Sequence, residues 1–234
     1  MEELIEKLAE SLLPVSTGSV QPGQELPTNL QQSYRYFFSL CDGGYTKDHL
    51  FHFFGQKGPQ QHNIIQWNRT DLWKHYYSLD EKSFVFAEDI FGTQFFFDVR
   101  GNRRVVNMLL PSNGQSSLCA NTLEDFLGDE VFSAQFNSEV RQLSERFFKE
   151  KRLAYQPFEH ISCKIPPSLG GDQKDLHNLE LANSLTNMRL LGQVFSQIKQ
   201  LPPGTRIREV KVNNEKEEVI LVPEKKSWLK KLFV

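Results

Sequence analysis

The 234 residues are 39% apolar and 12% aromatic, enough for a substantial core, which excludes a disordered chain. A formal charge of −2 and a pI near 6.3 provide no basic field for phosphates, so bulk charge argues against direct nucleic-acid binding. No run of about 18 apolar residues is present to span a membrane. The acidic start MEELIEKLAESLLPV also lacks the basic region of a signal peptide, so a cytoplasmic location is expected.

In chain order, Met1 to Leu13 reads as an amphipathic helix with Leu4, Ile5, Leu8 and Leu12 on one stripe, ended by Pro14. Val15 to Glu25 is a polar Gly/Pro/Ser loop. Leu26-Pro27-Thr28 opens a second helix whose apolar positions Leu30, Tyr34, Phe37, Phe38 and Cys41 keep helical spacing, and Gly43-Gly44 closes it. Leu50 to Phe54 is a short aromatic strand and Gln56 to Asn63 a loop. Asn68 to Leu79 is a short helix carrying Leu72, Trp73, Tyr76 and Tyr77, and the sequon Asn68-Arg69-Thr70 is its start signal.

The densest apolar stretch, Ser83 to Leu110, predicts an antiparallel meander. Phe84 to Ala87 is one strand, Glu88 to Thr93 the connection with Gly92 at positive φ, and Gln94 to Val99 the next. Phe95, Phe97 and Val99 form its core face, and Gln94, Phe96 and Asp98 a partly wet one. Arg100-Gly101-Asn102-Arg103 is a tight turn. The third strand places Val106, Met108 and Leu110 on one side before Pro111 stops it.

Beyond the meander, Asn113 to Ala120 reads as a polar loop, and Thr122-Leu123-Glu124-Asp125 as a capping box for a short helix stopped by Gly128. Ser138 to Lys149 is a helix with Val140, Leu143 and Phe147 inward. Ile165 to Gly171 is a rigid turn, and a long helix spans Leu176 to Lys199. Arg206 to Val212 and Glu218 to Val222 form a last hairpin around Asn213-Asn214. Runs of strands and helices without βαβ alternation predict a single α+β domain: a largely antiparallel twisted sheet flanked by helices, with a C-terminal helix and hairpin extension.

Chemistry-bearing residues are sparse. Cys41, Cys119 and Cys163 lack CxxC spacing, which argues against a disulfide framework or structural zinc. Cys41 beside Asp42 and His49 has the makings of a thiol nucleophile, but it lies on the apolar stripe of its helix. The six histidines are scattered, and His49 with His52 lacks a third ligand, so neither metal nor cofactor is expected. Arg100, Arg103 and Arg104 ring a hairpin tip. The tail Lys225-Lys226-Ser227-Trp228-Leu229-Lys230-Lys231-Leu232-Phe233 alternates positive and apolar residues; docking of this tail on its own domain is favoured over contact with an anionic membrane.

Leu26-Pro27, Tyr34 and Phe37, Asp42-Gly43-Gly44, Trp67, Trp73, Tyr76 and above all FVFAEDIFGTQFFFDV resemble the SUKH superfamily, the Smi/Knr-type domain of bacterial immunity proteins and fungal cell-wall regulators. The likeness covers about Leu26 to Leu127, and IPPSLGG with the long helix is similar to the extension of some bacterial members. This resemblance implies an α+β binding protein rather than an enzyme: an immunity protein that neutralises a toxin, such as a nuclease, encoded beside it. A regulatory or scaffold adaptor, and a hydrolase built on Cys41 and His49, are the alternatives. On that reading Asp42, Asp48, Glu88, Asp89 and Asp98 are candidate partner-binding acids that mimic phosphate to a basic toxin, unless Glu88 and Asp89 cap their own turn.

Overall fold

The computed structural model describes residues 2–15, 32–57, 61–100, 103–133, 138–213 and 216–224. Helix α1 (Glu2–Ser11) leads into β1 (Leu12–Leu13), and α2 (Gln32–Leu40) into β2 (Gly44–Thr46) and β3 (Phe51–Phe53). After α3 (Ile64–Trp67) and a 3-10 turn (Lys74–Tyr77) come β4 (Phe84–Asp89), β5 (Gln94–Arg100), β6 (Arg103–Leu110) and β7 (Gln115–Ala120). These seven strands form one antiparallel sheet in sequential order, so the meander predicted for the centre extends over the whole sheet. The architecture is α+β. Among the described residues no helix is long and apolar enough to cross a membrane.

Both faces of the sheet are covered. On one, Phe86 and Phe97 stack on each other, with ring centroids 4.3 Å apart, beneath Tyr34 of α2. Phe95 meets Phe126 of α4 (Leu123–Phe126) on the same face. On the other, Trp67 and Trp73 form the floor, and the Trp67 indole donates to Gln94 Oε1 at 2.8 Å. This corrects the partly wet face expected for β5 at two of its three positions: Gln94 is 0% and Phe96 2% exposed, and Asp98 alone stays half-buried. The C-terminal elements account for the difference, since Tyr77 donates to the Met188 carbonyl and its ring stacks on Phe195. On β6, likewise, Val105, Asn107 and Leu109 are buried along with Val106, whereas Met108 and Leu110 are half-buried.

Other boundaries differ for local reasons. Asn68 does not start a helix. Asn63 is the N-cap of α3, accepting from Gln66 N, and Asn68 follows its end, where its amide brackets Val85 N and O at the irregularity in β4. Thr122 does cap α4 through Asp125 N, but Gly128 stops nothing, because a π-helical turn continues over Leu127–Val131. The polar stretch after Asn113 is the edge strand β7. The helix expected from Ser138 is present as α5 (Ser138–Lys151). The long C-terminal helix begins only at Ser184, as α6 (Ser184–Gln200), because Leu179–Asn183 is strand β9, paired with β8 (Glu159–Cys163). The last hairpin is β10 (Ile207–Asn213) with β11 (Glu218–Pro223), laid on α6 by Val219 and Leu221. The helix-opening Leu26-Pro27-Thr28 with Leu30, the side chains of Val99, Arg100 and Arg103, the Gly101-Asn102 and Asn214 turn residues and the tail from Lys225 lie outside the described residues.

Two glycines are obligatory for different reasons. Gly92 has φ +83°, and a Cβ there would sit 2.6 Å from His160 Nδ1; Gly44 has φ +146° and faces the Leu13 carbonyl across the β1–β2 pair. Gly92→Ala and Gly44→Ala are therefore expected to destabilise by more than about 1 kcal/mol each. Phe97, 1% exposed at the centre of the aromatic face, should cost about 3–5 kcal/mol as Phe97→Ala, read by urea denaturation. A Phe97→Ala midpoint within error of wild type would refute the central position of β5.

Candidate functional site

The most elaborate polar constellation in the described chain is beneath the surface. Register places His52 of β3 opposite Glu88 of β4, and Glu88 opposite Gln94 of β5, so three polar side chains share one face of adjacent strands. Glu88, 2% exposed, has His52 Nδ1 3.1 Å from Oε1 and accepts from Gln94 Nε2 on Oε2 at 2.9 Å. His160 of β8 brings Nε2 to 3.1 Å from the same oxygen, a close polar contact off the line of a well-directed hydrogen bond. Ser162 donates to Asn187 Oδ1 at 2.6 Å, which turns the Asn187 amide toward His160 Nδ1 at 3.2 Å and leaves Nε2 as the ring's donor toward Glu88. Burial pushes the Glu88 carboxyl up, but His160 and His52 beside it outweigh burial and hold it well below the usual carboxylate range. Tyr45 stacks on His52 at 4.3 Å and Tyr155 on His49 at 4.1 Å. Together they leave a void of about 10 Å³, the size of a single water at most. This acid–base cluster has no room for a substrate.

The five candidate acids do not form one surface. Glu88 is withdrawn into the cluster. Asp89 turns its Oδ1 to the Phe91 and Thr93 amides at 2.9 and 2.8 Å, the turn-capping arrangement, and burial raises its carboxyl to about 6. Asp48 accepts from Thr46 Oγ1 and Leu50 N and pairs with Arg141 of α5 at 2.7 Å. Asp48 and Asp89 flank one end of β3, because Ile90 N donates to the Leu50 carbonyl there. Asp42 lies at the other end, capping the Gln56 and Lys57 amides at 2.8 and 2.9 Å. Asp98 accepts from Asn107 Nδ2 at 3.0 Å, four residues along β5 from Gln94 and so roughly 13 Å away.

Beside the Asp89–Thr93 turn a cleft of about 440 Å³ opens under α5. Its floor is apolar (Phe91, Leu110, Ile161, Leu179, Leu191), Val140 and Leu143 of α5 form one wall, and Arg146, Gln142 and the Lys174–Glu139 ion pair form the rim. Val140 and Leu143 remain half-buried because the cleft lies beneath them. An open groove with an apolar floor and a charged rim suits recognition of a projecting apolar side chain. The signal for it in the sequence, the inward stripe of Ser138 to Lys149, pointed to a core contact instead.

The other chemical candidates are accounted for structurally. Burial raises the Cys41 thiol, whose sulfur accepts from the Gly43 amide, so the thiolate needed of a nucleophile is disfavoured. Lys74, fully buried, donates to the Ser83 carbonyl at 2.7 Å and clamps the 3-10 turn to β4; burial lowers its ammonium to about 8. Among the described residues no group of three His, Cys, Asp or Glu side chains could hold a metal ion.

Residues 23–129, a little under half of the chain, match the family model described as SMI1 / KNR4 family (SUKH-1). No curated protein matches the chain. The match contains β2 to β7 with α2 to α4, and therefore Glu88, His52 and Gln94; His160, Asn187 and the α5 wall of the cleft lie beyond it.

Two measurements test the buried cluster. Glu88→Ala takes the acceptor from His52 and His160 and leaves Gln94 Nε2 with only its bond to the Gly92 carbonyl, and should cost at least about 3 kcal/mol, whereas Asp98→Ala should stay within about 1 kcal/mol. His62, buried against Trp67 and Phe158 with Nε2 2.9 Å from Ser184 Oγ, is lowered by burial to about 4. The unfolded chain then binds the extra proton first, so His62 costs stability as pH falls from about 6.5 to about 4, by about 2–3 kcal/mol. Asp89, raised by burial, acts oppositely between about 4 and 6. Urea unfolding of wild type and His62→Gln from pH 6.5 to 4 should show wild type losing stability relative to the variant as pH falls, because the opposing Asp89 contribution is common to both; identical slopes would refute a neutral buried His62.

Proposed function

We propose that this chain, which carries a SUKH-1 domain over residues 23–129, is a non-catalytic interaction protein that binds and neutralises a protein toxin encoded beside it in the cytoplasm. The observation that carries the reading is the contrast between two concave features among the described residues. The acid–base cluster at Glu88 is closed around a void of about 10 Å³, and the open feature is a 440 Å³ cleft whose polar rim serves recognition. A binder needs an open, apolar-floored surface. A hydrolase needs its acid, base or nucleophile where substrate can reach it.

On this reading the domain and the C-terminal elements act as one unit, supported by three ties: Glu88 with His160, Ile161 N donating to the Ile90 carbonyl, and Tyr77 donating to the Met188 carbonyl. The partner face lies at the β3 end carrying Asp48 and Asp89, and includes the cleft. Asp42 and Asp98, at the opposite end, contribute to encounter rather than contact. Glu88 contributes only by holding the face in shape. A toxin of basic charge would be steered by the net negative chain, and a projecting apolar side chain would fill the cleft.

The test is co-expression with the product of the adjacent open reading frame. Growth arrest by that product should be relieved by this chain through a stoichiometric complex, with no turnover of the partner. Leu143→Glu at the cleft wall should weaken the complex at least about tenfold with the fold retained by circular dichroism, acting on dissociation. Asp48→Asn should act mainly on the association rate and its salt dependence. Relief of arrest that survives Leu143→Glu and Asp48→Asn together would move the binding face elsewhere. Multiple turnover of the partner would overturn the non-catalytic reading.

A further inference from the structure

The hairpin β10–β11 has two very different edges. Along β11, α6 holds two glutamines one turn apart: Gln193 donates to the Glu217 carbonyl and accepts from Val219 N, and Gln197 donates to the Val219 carbonyl and accepts from Leu221 N. These four bonds, 2.7–2.9 Å long, imitate a neighbouring strand and close that edge. They also fix the hydrogen-bonding phase of the hairpin. Val219 and Leu221 turn their backbone groups away from β10, so their register partners Val212 and Val210 turn theirs away from β11, outward along the β10 edge. Among the described residues no strand or side-chain ladder closes that edge, and every residue from Arg208 to Asn213 is exposed. Val210 and Val212 are 43% and 53% exposed, although they stand on the same side of the hairpin as the buried Leu221 and Val219.

We infer that this edge pairs with the β10 edge of a second copy of the chain, making a continuous four-stranded antiparallel sheet across a two-fold axis at Val210. The charges on the strand select both the partner and the register. Two-fold antiparallel pairing keeps like faces together, so the axis must pass through a single residue position. An axis at Glu209 sets Glu209 against its own copy, and an axis at Lys211 sets Lys211 against its own copy, both repulsive. An axis at Val210 sets Glu209 opposite Lys211 twice, places Val210 on Val210, and pairs the outward backbone groups that the hairpin leaves open. Within one chain Glu209 reaches Lys211 only at 4.0 Å and Arg208 at 3.7 Å, the outer limit of an ion pair, so neither contact competes strongly. The same pairing covers the exposed valines and brings the two α6 helices beneath one sheet. Its area is at the small end for specific interfaces, so the association is weak and concentration-dependent.

Sedimentation equilibrium of the full chain over a concentration series tests this. Wild type should show a monomer–dimer equilibrium below about millimolar. E209K and K211E, which each put like charges opposite one another, should each raise the dimer Kd about tenfold. The double variant E209K/K211E should regain the wild-type Kd, and an equimolar mixture of the two single variants should form a heterodimer, since every pair in it is then opposite in sign. Circular dichroism should show all variants folded alike. A monomer throughout the series would overturn the proposal, as would a dimer indifferent to the charge swaps or one lost only on removing residues 225–234.

Discussion

A carboxylate with almost no access to water has to find its polar partners inside the protein, and Glu88 does so by drawing on three parts of the chain. His52 and Gln94 are cross-strand neighbours, supplied by register. His160 arrives from a strand 72 positions later, as the numbering shows, and is itself oriented by Asn187 of α6. An isolated buried charge costs several kcal/mol, and the satisfied one here makes the docking of β8 and α6 a condition for the sheet's second face to close. Trp67, bonded to Gln94, carries that dependence on to α3, and Tyr77 to Met188 carries it to the far end of the same face.

This arrangement also sets what is left for recognition. Because β8, β9 and α6 fill the sheet face near Glu88, the open volume is displaced sideways, between the Asp89 turn and α5. Helix α5 buries little besides Ser144 and Phe147, and its pair of ionic contacts, Arg141 with Asp48 and Lys174 with Glu139, holds it at its margins. Exposed pairs of this kind contribute little to stability. The wall of the cleft is therefore held by few buried side chains and by exposed ion pairs, which a partner can displace at small cost.

Much of the architecture could be read directly from residue pattern. Alternation in Gln94 to Val99, the turn glycine at 92 and the Thr122 cap each reflect interactions between near neighbours in sequence, and the SUKH-type block around FVFAEDIFGTQFFFDV coincides with the matched residues. What escaped was set by distant partners. Gln94 and Glu88 read as solvent-facing because nothing local announces Trp67 or His160. Leu179 to Asn183 continues a helical stripe in sequence, yet β8 recruits it as a strand. Asn68 looks like a cap, but its amide is occupied by Val85 across the fold. Five acids looked like one surface because separation along a strand is invisible until register places Asp48 and Asp89 at one end and Asp42 and Asp98 at the other.

The order in which the chain is synthesised gives the Glu88 cluster a temporal meaning. The ribosome delivers all seven strands of the sheet by Ala120, whereas His160 and Asn187 follow only after α5 has been made. At about 5–20 residues per second, the stretch from Ala120 to Asn187 takes several seconds to follow the sheet strands. A sheet without those elements would expose the side that carries Trp67, Trp73 and Phe96. Closure is a late, long-range event that converts a wet charged surface into a dry interior. The C-terminal elements thus supply, last in sequence, the partners that the second face of the sheet requires.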